Sequence, residues 1–150
     1  TRLRKLDSGE LDAIVLARAG LVRLGLEARA ALAVDPDIII PAPGQGALAI
    51  ECRADDAETR ELLAALSDAE TEIAVSCERG VMESVGGNCN VPFGAYAVRS
   101  GNELHLRAML AASDGNKARR LERRAPWPTT LAEATELGRA SGRELLLTAP

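Results

Sequence analysis

A cysteine in a glycine-bearing loop is the position in this chain best suited to covalent chemistry. Residues 86–92 read Gly-Gly-Asn-Cys-Asn-Val-Pro and follow a long amphipathic segment. Glycine at a helix end lets the backbone enter the left-handed region that closes the helix. Pro92 keeps the chain from resuming a helix and biases Val91 to an extended shape. Such a loop can hold the Cys89 thiol away from a packed core. The thiolate is the nucleophile, and burial among apolar groups raises a thiol's pKa, so exposure favours reactivity. The plain alternative is a small core hydrophobe, the commonest role of an unpaired cysteine.

Two further places could bind a ligand. Arg2, Arg4, Lys5, Arg18 and Arg23 crowd the start of the chain. Guanidinium forks match carboxylates in bidentate geometry, so such a set could grip a polyanionic small molecule. A solvated helix face explains the same residues. Pro43-Gly44-Gln45-Gly46 forms a hinge whose backbone N–H groups could approach a ligand. A plain interdomain turn is the other reading of it.

The elements that would position these groups are legible from periodicity. Residues 2–7 end a helix, with Gly9 in the turn after it. Residues 12–17, 38–40 and 47–52 are short apolar runs of the kind buried strands use. Ala19 to Leu26 reads as a short helix with Leu21 and Leu24 against a core, and with Arg23 pointing away. Asp55-x-x-Glu58 and Ser67-x-x-Glu70 are capping-box signals for helices through Leu66 and about Val85. In the second, Ile73, Cys77, Val81 and Val85 make one apolar stripe, which places Cys77 in the core.

From Phe93 the period changes to two. Phe93 to Arg99, Glu103 to Ala112 and Lys117 to Arg124 read as strands joined by turns at 100–102 and 113–116. Leu104, Leu106, Ala108 and Leu110 share one face of the middle strand, and His105, Arg107 and Met109 the other. The arginines of the third strand suit an edge, where charge discourages pairing with other chains. Trp127 is expected to pack on the sheet. Thr130-x-x-Glu133 caps a helix to about Ala140, and Gly142 is expected to break it.

Composition narrows the function classes. The chain has 150 residues, net charge −4, 47% hydrophobic residues and 2% aromatics. The core must therefore be aliphatic, and stacking platforms for single-stranded nucleic acid have no material. The mild acidity gives no general attraction to nucleic acid or anionic membrane. Cys52, Cys77 and Cys89 lack metal-type spacing, and His105 is the single histidine, so no metal site is expected. An odd cysteine count without a signal peptide points to a reducing compartment, here the cytoplasm. No apolar run approaches the ~20 residues of a membrane span. The chain begins in mid-pattern at Thr1, as a piece of a longer protein would.

Six stretches, in order and in register, carry a resemblance. They are Thr1 to Leu6, Leu11 to Ala17, Ala19 to Gly25, Pro41-x-x-Gly44-Gln45-Gly46-Ala47, Ile50-Glu51-Cys52-Arg53 and Cys89-x-Val91-Pro92-x-Gly94-x-Tyr96. With them the chain resembles the C-terminal half of the porphobilinogen deaminase (hydroxymethylbilane synthase) family. The resemblance implies a transferase of tetrapyrrole, porphyrin and heme biosynthesis. Its members polymerise four porphobilinogen units into linear hydroxymethylbilane, releasing ammonia at each condensation. They do so on a dipyrromethane cofactor held by a thioether to one cysteine, which by position is Cys89. The family places two glycines directly before it; here Asn88 takes the second place.

The implied chemistry suits a thiolate. Ammonia loss from an aminomethylpyrrole gives an electrophile that soft sulfur captures, and the tether makes later condensations effectively intramolecular. The growing chain bears acetate and propionate groups, which gives arginines their use. By resemblance, Arg2 and Arg23 bind cofactor or substrate carboxylates, Ala17 and Gly20 supply backbone beside the cofactor, and Gln45 lies near the site. The catalytic aspartate belongs to the family's N-terminal half, so none of the catalytic residues is expected in this chain, which alone would be inactive.

The implied fold is α/β plus α+β. Incomplete α/β pieces precede a C-terminal α+β domain whose three-stranded antiparallel sheet is covered by helices. Residues 1–42 would finish the second α/β domain. Residues 43–66 would form the hinge and a returning strand and helix of the first. Residues 67–150 would be the third, cofactor-anchoring domain. The expected partners are porphobilinogen, the growing pyrrole chain and the N-terminal half of the same enzyme, with the whole enzyme a monomer. The competing class is a non-catalytic module that binds an anion or a partner polypeptide, with Cys89 unmodified.

Overall fold

The period of two from Phe93 onward, clearest in the second and third strands, produces a sheet. The computed structural model describes residues 2–86, 91–112, 114 and 117–148. Strands β1 (Phe93–Ser100), β2 (Glu103–Ala111) and β3 (Ala118–Pro126) form an antiparallel meander in that order. Ser100 pairs with Glu103, leaving Gly101-Asn102 as a two-residue hairpin loop, with Gly101 at φ +63°. Leu104 faces Arg99 and Ala125, and Ala108 faces Ala95 and Leu121.

Two helices cover one face. Helix α4 (Ala69–Ser84) precedes the sheet and helix α5 (Leu131–Leu147) follows it. Ile73, Cys77 and Val81 of α4 and Ala134 and Leu145 of α5 are buried with Ala95, Ala97, Leu104, Leu106, Ala108 and Leu121. Trp127 packs on this core from the end of β3, with the Arg99 guanidinium 5.2 Å above its ring. The α+β domain expected from the sequence is therefore present.

Several expectations are corrected. Helix α5 runs through Gly142 instead of breaking there. Its glycines serve contact: a Cβ on Gly138 or Gly142 would strike the α4 backbone, and one on Gly80 would strike the Thr135 carbonyl of α5. The caps of α3 (Ala57–Ala64) and α4 are Asp56 and Asp68, each one residue beyond the capping-box position read from the sequence. Asp68 accepts the Thr71 N–H at 2.8 Å and Asp56 the Thr59 N–H at 3.0 Å. Thr130 caps α5 as the spacing predicts, accepting the Glu133 N–H at 3.1 Å.

No strand forms among the described residues before Phe93. Residues 12–17 and 48–53 lack regular secondary structure, and 36–39 form a turn and bend. A strand has no hydrogen bonds within itself, so an apolar run becomes one only beside a partner. One short pairing survives: the Ala95 N–H on the outer edge of β1 donates to the Pro41 carbonyl at 3.0 Å.

The chain divides into two compact units, Thr1–Asp35 and Pro36–Pro150. The first holds α1 (Arg2–Asp7), α2 (Arg18–Arg23) and a 3₁₀ turn, Glu27–Arg29. Ion pairs Arg18–Glu27 and Arg29–Asp7 tie it together. Leu21 is its one buried residue among those described; Leu24, expected in a core, is 71% exposed.

Candidate functional site

Helix α4 ends at Ser84 with Val85 as its C-cap, and Gly86 at φ +65° turns the chain out of the helix. Pro92 then leads into β1. The loop read as the site thus joins α4 to β1; Cys89 itself lies outside the described residues.

The other two thiols have opposite settings. Cys77 is fully buried in the core, and burial pushes its thiol up to about 12. It carries almost no thiolate at neutral pH and has no access to a ligand. Cys52 is exposed in the irregular segment after the hinge.

Ala17, Gly20 and Arg23 are brought together on α2. Ala17 is the N-cap, its carbonyl accepts the Gly20 N–H at 3.0 Å, and Arg23 closes the helix. Gly20 and Arg23, three positions apart within the helix, are neighbours on its surface, and Ala17 adjoins Gly20 through that hydrogen bond. Arg2 opens the exposed side of α1. Lys5 and Arg18 are engaged by Glu10 and Glu27, whereas Arg2 and Arg23 form no ion pair among the described residues. Gln45 belongs to the second unit. Its Oε1 accepts the Ala42 N–H at 3.1 Å, and its own N–H donates to the Ala42 carbonyl at 3.1 Å. Among the described residues no three metal-ligating side chains converge, and no helix is long and apolar enough to cross a membrane.

Sequence reasoning missed Glu78. It sits on α4 at 5% exposure. Its Oε2 accepts the Gly44 N–H at 2.7 Å and its Oε1 the Ala97 N–H at 2.8 Å. Burial raises its carboxyl above the ordinary glutamate range, against the opposing effect of those two hydrogen bonds and of Arg79. The signal was a charged residue four positions after Ala74 and three before Val81, on the edge of the apolar stripe.

Two family models match the chain in order. Residues 1–61 match "Porphobilinogen deaminase, dipyromethane cofactor binding domain", and residues 72–147 match "Porphobilinogen deaminase, C-terminal domain". The chain belongs to the porphobilinogen deaminase family. A porphobilinogen deaminase of Sorangium cellulosum (strain So ce56) is 56% identical over 145 residues, which are 97% of this chain and 48% of that protein. This member thus spans about half the length of the curated relative it matches.

The family's cofactor fits the groups present. Dipyrromethane bears several carboxylates, and Arg2 and Arg23 are exposed guanidiniums outside any ion pair among the described residues. Residues 1–61, which match the cofactor-binding domain, contain both, together with Ala17, Gly20 and Gln45.

Proposed function

We propose that this chain is the cofactor-carrying half of a hydroxymethylbilane synthase, working in the cytoplasm on porphobilinogen. The observation that carries the proposal is the ordered match of two porphobilinogen deaminase domains, with 56% identity over 97% of the chain. In this reading Cys89 holds dipyrromethane as a thioether. Bound there, the cofactor supplies the fixed end onto which four porphobilinogen units are joined with loss of ammonia. Arg2 and Arg23 hold acetate and propionate groups, Ala17 and Gly20 present backbone, and Gln45 borders the site.

The catalytic aspartate lies in the half of the enzyme that this chain does not span, and the chain alone does not turn over. Residues 1–42 complete the second domain, residues 43–66 return to the first, and residues 67–150 are the third. Exposed aliphatic side chains support a partner half for the first two. Val15 is 72% exposed, Leu48 84%, Ile50 60% and Leu62 70%. They are the side chains whose burial would reward docking of further strands.

The test is co-expression with the upstream half of the gene and measurement of this chain's intact mass. A dipyrromethane adduct is expected on the wild type and on Cys52→Ser, and none on Cys89→Ser. A folded complex that binds porphobilinogen while Cys89 stays unmodified overturns the anchor and favours a binding module.

A further inference from the structure

The turn that carries Gln45 is held by a carboxylate from another element. Strand β1 is an outer strand of the sheet, and along its outer side alternate N–H groups point away from β2. Ala95 satisfies its N–H with the Pro41 carbonyl at 3.0 Å. The next outward donor, Ala97, meets the Glu78 side chain instead, at 2.8 Å. One carboxylate oxygen therefore stands where the carbonyl of an added strand would be. The other oxygen accepts Gly44 at 2.7 Å, just where the chain leaves the strand edge and turns. Gly44 has φ +68°, and a Cβ on it would lie 3.7 Å from Val75 of α4, so the turn rests on the same helix. Reciprocal bonds between Ala42 and Gln45 close the turn itself.

We propose that Glu78 is a positioning residue whose carboxylate clamps the Ala42–Gly46 turn, and with it Gln45, to the helix that leads into Cys89. Its purpose rests on the cofactor reading above; the clamp does not. Two main-chain donors arriving on two oxygens need an acceptor on each. A carboxylate provides both, whereas glutamine sets an NH₂ against one of the donors. No other side chain of similar length meets that requirement. The charge of Arg79 favours the ionised carboxylate, and the Cys77 thiol, also on α4, is the other titratable group interacting with Glu78 among the described residues.

The test begins on the unaltered chain by NMR. The amide protons of Gly44 and Ala97 are expected to titrate with the midpoint of the Glu78 carboxyl carbon, because each lies on one of its oxygens. The Ala95 amide, bound to Pro41, is expected not to follow. In Glu78→Gln, Gly44 amide exchange is expected to accelerate by about tenfold or more, with Leu106 and Leu121 unchanged. Unlinked titration of the two amides, or unchanged Gly44 exchange in a folded variant, overturns the clamp. In the co-expressed complex, cofactor loading of Cys89, read by mass, is expected to slow in Glu78→Gln. Normal loading with an opened turn overturns the positioning role. A wild type that never loads counts against the cofactor reading and leaves the clamp standing.

Discussion

Gly138 of α5 lies directly on the backbone carbonyl of Cys77 in α4, where no side chain fits. Gly80 and Gly142 extend the contact in both directions, and Ser84 Oγ donates to the Arg139 carbonyl across it at 3.0 Å. Alanine at position 138 would gain about 1 kcal/mol of helix propensity. It would lose more by overpacking, typically about 1–3 kcal/mol and above that when the obstacle is backbone. Gly138→Ala is therefore expected to lower the urea midpoint, although the same change at an exposed helix position raises it. A stabilised Gly138→Ala would show that the two helices part readily.

The settings of Cys77 and Cys52 predict a sharp difference in alkylation. With its pKa near 12, Cys77 holds a thiolate fraction of about 10⁻⁴ at pH 8, and its sulfur is out of reach of reagent. Iodoacetamide is expected to label Cys52 on the folded chain and Cys77 only after denaturation, as read by peptide mass mapping. Equal labelling of the two in buffer would contradict the packing of α4 on the sheet. The result also bears on the anchor, since it leaves Cys52 as the one described thiol able to compete with Cys89.

The second unit was largely legible because its signals are local. Alternation in Phe93 to Arg124, a Gly-Asn hairpin and Thr130-x-x-Glu133 each act within a few residues. The apolar runs at 12–17 and 47–52 were misread as strands because their state depends on partners that no local pattern names. Gly142 was misread because a glycine that breaks a helix and one that lets two helices touch are the same letter. Glu78 was overlooked because its two partners, Gly44 and Ala97, are distant in sequence. Of the candidate site, Gly20 and Arg23 sit together on α2 with Ala17 as its N-cap, a nearness that follows from short separation along the chain.

Thr130 and Asp68 cap the two covering helices, and they differ in pH response. Thr130→Ala is expected to cost about 1 kcal/mol at any pH where the chain is folded. Asp68 is charged, and hydrogen bonds from the Thr71 side chain and N–H hold its carboxyl below the ordinary aspartate range. A folded pKa below the unfolded one means that the unfolded state binds the proton first. The contribution of Asp68 is thus complete above that ordinary range and is lost as pH falls through the folded value. Asp68→Asn keeps a capping oxygen without the charge. The stability difference between wild type and Asp68→Asn is expected to shrink on acidification, whereas that for Thr130→Ala stays flat. Urea titrations between pH 3 and 7 separate the two.

Glu78 has the opposite sign. Burial, the largest effect, raises its carboxyl above the ordinary range despite hydrogen bonds from Ala97 and Gly44 and the charge of Arg79. The folded state then holds the proton longer than the unfolded one. Stability contributed by this group is fully present below the ordinary glutamate value of about 4.3 and declines as pH rises through the folded value. Glu78→Gln cannot ionise, so the stability of wild type relative to the variant is expected to fall as pH rises through this window. The expected trend thus runs against that of the helix caps. Paired urea titrations of the two proteins measure it directly. A difference that grows with pH would mean that the Gly44 and Ala97 donors outweigh burial, making Glu78 an anion that the fold favours.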